Sequence, residues 1–351
     1  MSIYYIIFGI LAFLSIFEFF IHNKKKGIVY FIIAFLVVFL GIRYNVGNDF
    51  EAYYFNYIEI QKGNDVVAKE PLYVLVNILS PNYQCVVIFF ASITLFYLYK
   101  FIVYFNYRYI ISAILIYFSV FLINYNVHIF RQGLSIALIL WGYKFLYEQN
   151  KIKFAIIVII ASLFHLSALF VLPFTFLIHK EISIKIQIII FILALIIGYN
   201  AKELVSIYYS IVTNIPLLNK YTKFYRQEEV VSYQFSLGML VDFIILFLFM
   251  RKYKFLKGKD LFIYKIFYIS VILSLVLMIE PTSLRLNYYF RTVLIVLLPL
   301  LYKYYNKGSI LIFIFILSIS LGYLYRTFNS ISEYGGTDRN LFYRTIITKD
   351  D

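Results

Sequence analysis

Polar residues in this chain interrupt long apolar runs rather than alternate with them. Eleven runs stand out: Ile3–Ile21, Ile28–Ile42, Tyr83–Tyr104, Ile110–Asn126, Arg131–Tyr147, Phe154–Ile178, Ile184–Tyr199, Ser236–Met250, Phe262–Ile279, Tyr288–Tyr302 and Ser309–Tyr325. An α-helix needs about 20 apolar residues to cross the hydrocarbon core, and continuous runs argue against a β-barrel, which needs alternation. The pattern therefore predicts an all-α, polytopic integral membrane protein with about 10–12 transmembrane helices. The first run has no small-residue cleavage site and is followed at once by the second, so it reads as a retained helix rather than a signal peptide. With no internal repeat and no low-complexity linker, residues 1–325 read as a single transmembrane domain. Longer polar segments lie at 43–82 and 200–235, and 326–351 forms a polar tail.

Composition narrows the class. Of 351 residues, 63% are hydrophobic and 14% charged, and mean hydropathy is +0.84; soluble domains carry about 25% charged residues. A soluble enzyme, a disordered tail and a free nucleic-acid-binding domain are excluded, and no nucleic-acid partner is expected. The single Cys85 rules out an internal disulfide framework. Four His without an HExxH or EF-hand pattern give no reason to expect a metal or other cofactor.

The net charge of +14 matters through its placement. Lys24–Lys26, Arg108, Lys151, Lys153, the run Arg251–Lys259, Lys303 and Lys307 mark cytoplasmic loops by the positive-inside rule. Eleven strictly alternating spans would put Arg251–Lys259 outside, so one crossing must change. Phe154–Ile178, with Phe164-His165-Leu166-Ser167 at its middle, accommodates this as a helical hairpin; the alternative is one long tilted helix with the missing crossing near Lys202–Leu218. In the hairpin arrangement 43–82, 200–235 and 326–351 are external. Sixteen of 22 Lys then fall inside and eight of ten Arg outside: Arg43, Arg131, Arg226, Arg285, Arg291, Arg326, Arg339 and Arg344. Arg pairs bidentately with phosphate, so external Arg against the topological tendency points to an external lipid-linked phosphate.

Four short segments carry candidate chemistry. Gly41–Tyr54, followed by Glu70-Pro71, combines Arg43, a Gly47-Asn48 turn, Asp49, Tyr53 and Tyr54, the make-up of a sugar-binding surface or of an interfacial aromatic belt. Arg131 stands at the mouth of a span, where an ionisable residue is either functional or snorkels to headgroups. His165, the one sizeable polar side chain in its run, is either a proton acceptor or a buried His bonded to a carbonyl. Arg285, placed in a loop, and Arg291, on the following helix, either converge on one anion or anchor to headgroups. Asp242 is expected to pair with an Arg, and Glu18 to snorkel.

Taken together, Arg43-Tyr-x-x-Gly47-x-Asp49 with Tyr53-Tyr54 and Glu70-Pro71, Arg131-Gln132, Phe164-His165-x-Ser167-Ala168 and the Arg291 helix resemble the EpsG-like family of exopolysaccharide and O-antigen (Wzy-type) polymerases, over about residues 25–300. The departures are Asn48, where the family usually has Thr or Ser, and Leu166, where it often has Lys. The resemblance implies a GT-C-like membrane glycosyltransferase on the outer face of the bacterial plasma membrane. Such an enzyme transfers a growing glycan from undecaprenyl pyrophosphate to a lipid-linked repeat unit, with inversion and without a metal. It implies catalytic roles for Arg131, His165 and Asp49 and substrate contacts from Arg43, Arg285, Arg291, Tyr53 and Tyr54. Implied partners are undecaprenyl-pyrophosphate-linked oligosaccharides, membrane lipids, a chain-length regulator and a flippase. The competing classes are a flippase or transporter, which would trap lipid-linked units inside, and a membrane O-acyltransferase, which would leave chain length unchanged.

Overall fold

A computed structural model of the chain describes residues 2–21, 26–64, 70–200, 203, 236–277, 284–305, 309–333 and 343–347. The amphipathic stretch Leu204–Leu218, Arg226 and Arg339 lie outside the described residues. In chain order the helices are α1 Ser2–Ile21, α2 Lys26–Gly41, α3 Phe50–Gln61, α4 Pro71–Leu79, α5 Tyr83–Phe105, α6 Ile110–Ile116, a π-helix Tyr117–His128, α7 Phe130–Tyr147, α8 Lys151–Ser162, a 3-10 helix Leu166–Phe174, α9 Thr175–Ile178, α10 Ile184–Tyr199, α11 Leu237–Arg251, α12 Gly258–Val276, α13 Leu284–Arg291, α14 Leu294–Tyr304 and α15 Ser309–Glu333. The protein is an all-α polytopic membrane protein, and its β-structure among the described residues is one isolated bridge. Four helical stretches are long and apolar enough to cross a bilayer: Ile3–Phe20, Tyr83–Phe105, Ile110–His128 and Ile310–Asn329. Counting α13 and α14 as one broken span gives five; α2 and α10 are apolar but shorter.

The chain divides into two compact units, Met1–Thr175 with Leu294–Asp351, and Phe176–Val293. In the first, α5 lies beside α2 and α7, antiparallel to α2 and parallel to α7. At its start Gln84 donates to the carbonyls of Gly41 and Arg43; at its other end the Tyr104 hydroxyl donates to Glu148, just past α7, at 2.8 Å. The expected single span Ile110–Asn126 changes hydrogen-bond register at Tyr117 and continues as π-helix to His128. This wider helix presses on α7: a Cβ at Gly133 would lie 2.0 Å from the Tyr125 carbonyl oxygen. Glu18 does not snorkel. It accepts from the backbone amides of Ile111 and Ser112, both at 2.8 Å, and so satisfies the orphan donors at the start of α6.

A single helix across Phe154–Ile178 is overturned. The run breaks at Leu163–His165, between α8 and the 3-10 helix that packs back against it. Ser135 donates to the Ala161 carbonyl at 3.0 Å, and the Leu72 amide to the Leu163 carbonyl at 3.1 Å, so α7 and α4 both pin the break. The last helix continues past Tyr325 to Glu333, which takes Arg326 out of the polar tail and into α15. Further on, Thr345 forms an antiparallel bridge with Arg43. The amide of Tyr44 bonds the Arg344 carbonyl, and that of Ile346 the Ile42 carbonyl, both at 2.9 Å. Tyr343 stacks on Phe39 with ring centroids 4.4 Å apart.

In the second unit, Gln187 on α10 ties its neighbours together. It accepts from the Tyr264 hydroxyl at 2.6 Å through its side chain and from the Tyr268 hydroxyl at 2.8 Å through its carbonyl. Ser236 caps α11, accepting from the Met239 amide.

Candidate active site

The site in the first unit starts from a glycine. Gly47 has φ +111°, a backbone region L side chains rarely adopt, and a Cβ there would lie 2.7 Å from the Val127 carbonyl oxygen. That close approach seats the loop after α2 on the end of the π-helix, where the Asn48 amide donates to His128 Nδ1 at 3.1 Å. Asp49 then precedes α3, its carbonyl receiving the Tyr53 amide at 3.0 Å. Asp49 and Tyr53 are four residues apart and share one helical face.

Tyr53 is buried against Phe130, the first residue of α7, with ring centroids 4.0 Å apart. The next residue, Arg131, holds its guanidinium carbon 5.4 Å from the Tyr53 ring centre and 4.7 Å from that of Tyr73 on α4. Both lie within cation–π range. Arg131 Nη1 contacts Glu70 Oε2 at 2.8 Å, and His165 Nδ1 stands 3.4 Å from Glu70 Oε1. Glu70 thus bridges Arg131 and His165, one carboxylate oxygen to each. His165, then Arg131, hold its carboxyl below the usual carboxylate range against the opposing effect of burial. The side chains of Arg131, Glu70 and His165 are 19%, 18% and 28% exposed, so the cluster is reachable from outside the protein. Arg131 Nε and His165 Nδ1 are buried atoms with no hydrogen-bond partner.

Sequence reasoning singled out Arg131, His165 and Tyr53, and the fold brings them to one place. Tyr54 is on α3 but 41% exposed, its ring 5.3 Å from that of Tyr83. Arg43 is 3% exposed and lies in the electrostatic range of Tyr83, Tyr4, Tyr343 and Tyr53. Its Nη1 reaches the Leu40 carbonyl at 3.4 Å and its Nε has no hydrogen-bond partner. It therefore sits beneath the surface, with Tyr53 as the neighbour it shares with Arg131. Glu70 was noted in the motif but not as a site residue. Its signal was an acidic residue before a proline at the start of a short apolar helix, where it stands as N-cap.

Arg291 and Arg285 belong to the second unit. Arg285 is not in a loop; both lie in α13, Arg285 exposed near its start and Arg291 at its end. Arg291 forms a fork onto Asp242, Nε to Oδ2 at 2.8 Å and Nη2 to Oδ1 at 3.2 Å, which is the pairing expected for Asp242. Asp242 is 3% exposed, so the pair gives this buried carboxylate its counter-ion.

In comparison with known proteins, the family model described as EpsG family matches residues 28–344. No curated protein and no solved structure matches the chain.

Proposed function

The chain belongs to the EpsG family, which makes it an exopolysaccharide-related membrane polymerase, and from that premise we propose that it is an inverting, metal-independent glycosyltransferase acting on the outer face of the bacterial plasma membrane. It moves a growing glycan from undecaprenyl pyrophosphate to the non-reducing end of a lipid-linked repeat unit. The observation that carries this reading is the Arg131–Glu70–His165 cluster, assembled from residues 61 and 95 positions apart around one carboxylate.

The acceptor hydroxyl oxygen attacks the anomeric carbon on the face opposite the pyrophosphate. A new glycosidic C–O bond forms, the C–O bond to pyrophosphate breaks, and its electron pair departs with undecaprenyl pyrophosphate. The hydroxyl proton goes to His165 Nε2. Glu70 beside Nδ1 favours the tautomer that keeps Nε2 free to accept it. Arg131, preorganised by the Tyr53 and Tyr73 rings, stabilises the charge growing on the leaving pyrophosphate. A donor placed in this way is worth about 3 kcal/mol in other enzymes. Asp49 and Tyr54 line the approach for sugars with Tyr53 buried behind them, Asp49 standing in reserve as base. Arg43 acts from below through the tyrosines.

The test is a polymerase-deleted host complemented with Arg131→Ala, Arg131→Lys and His165→Ala. Single lipid-linked repeat units should accumulate outside the membrane in Arg131→Ala and His165→Ala. Full-length polymer from Arg131→Ala would end the pyrophosphate assignment. Activity kept in Arg131→Lys would mean that charge suffices without the fork. Units retained inside would instead indicate a flippase.

A further inference from the structure

The geometry that recommends Arg131 also poses a problem for it. Its Nη1 is already spent on Glu70 Oε2 at 2.8 Å. A carboxylate and a phosphate oxygen compete for the same N–H donors, so a pyrophosphate cannot take the full guanidinium fork while that contact stands. Glu70 has somewhere else to go, because its other oxygen faces His165 Nδ1 at 3.4 Å, and Nδ1 makes no hydrogen bond. The residue is also placed to move. It is the N-cap of a nine-residue helix, has extended backbone, and makes no side-chain capping bond.

We propose that Glu70 is a placeholder for the diphosphate of the lipid-linked donor: it occupies the anion seat of Arg131 in the empty site and is displaced toward His165 when the donor binds. Displacement closes the Glu70–His165 contact into a hydrogen bond and sets the base. The placeholder therefore couples donor arrival to base activation, and it keeps the Arg131 charge matched between turnovers. Glu70 is a positioning residue in this scheme. The proposal rests on the pyrophosphate reading of Arg131.

The experiment measures farnesyl pyrophosphate binding to the full-length protein in nanodiscs, for wild type, Glu70→Gln, Glu70→Asp, Arg131→Ala and the Glu70→Gln/Arg131→Ala double variant. Glu70→Gln should bind about tenfold more tightly than wild type, a shift that the double variant abolishes. The same substitution should lower the polymerisation kcat and leave or lower KM, because the seat is free but the base is no longer oriented. Glu70→Asp, with the charge kept on a shorter arm, should lie between wild type and Glu70→Gln in binding. Binding by Glu70→Gln that equals or falls below wild type, while Arg131→Ala loses it, overturns the placeholder and leaves the pyrophosphate reading standing. Undiminished binding by Arg131→Ala overturns both. If Glu70→Gln does not fold, Glu70→Asp decides: affinity no higher than wild type overturns the proposal.

Discussion

Gly133 has no room for a methyl group. The Tyr125 carbonyl would meet it at 2.0 Å, whereas the closest neighbours of a Cβ at Gly142 are side-chain carbons of Ile157 and Phe154, at 3.1 and 3.3 Å. Gly133→Ala should therefore cost about 1–3 kcal/mol or more, and Gly142→Ala clearly less, as melting temperatures in detergent will show. Glu70 gives a second prediction at this scale. Its folded-state carboxyl titrates below the ordinary value, so its contribution to stability is present above the ordinary carboxylate range and is lost as pH falls through the depressed folded value. The melting difference between wild type and Glu70→Gln should be full at neutral pH and vanish in strong acid; a difference that persists in acid would contradict this. The residues themselves were unevenly legible. Arg131 and His165 announce themselves as ionisable groups in apolar surroundings. Glu70 does not, because it lies in a polar stretch and both its partners are distant in sequence. Arg291 was legible as an anion contact or a headgroup anchor, but its fork is held by Asp242.

At the scale of elements, hydropathy located most helices within a few residues and anticipated the break in the middle of Phe154–Ile178, but not the helical registers around it. Ser236 as the start of one run, and Ile184–Tyr199 as another, are reproduced by the helices. The π-helix at Tyr117–His128 and the 3-10 helix at Leu166–Phe174 were not foreseen. Both are choices of hydrogen-bond register within an apolar stretch, and composition is the same whichever register is taken. The break at Leu163–His165 delivers His165 to Glu70, since a continuous helix would keep its backbone bonded and carry the imidazole elsewhere on the helix face. A reporter fused after Lys180 should give a cytoplasmic signal if the broken segment enters and returns on one side. An external signal would show that the segment crosses.

At the scale of the molecule, the two ends of the first unit differ in chemistry. At one end stand Arg43 and Arg131 with the tyrosines around them. At the other, Lys144 lies 4.9 Å from the Trp141 ring and 5.2 Å from that of Tyr104, while Lys100 lies 5.7 Å from Trp141. Lys100 on α5 and Lys144 on α7 reach the same end because these two helices run parallel. Lys beside Trp and Tyr is also the make-up of a headgroup-level belt. The contact of the C-terminal segment with Arg43 was illegible in the sequence, because a bridge of such long separation carries no periodic signal. Deleting residues 343–351 should leave membrane insertion intact and reduce polymer yield together with the melting temperature. Unchanged polymer would show that the segment is dispensable for the site.

The same bridge has a temporal consequence. The bridge partner of Arg43, Thr345, leaves the ribosome about 300 positions after Arg43 itself. Until Thr345 is made, the loop that leads to Asp49 and Tyr53 lacks one of its two edges, so the preceding helices can insert in order while this end stays unfinished. Assembly of the protein in the membrane and its onset of activity are then separate events. A nascent chain stalled before Thr345 would hold its earlier helices in the membrane and still be silent.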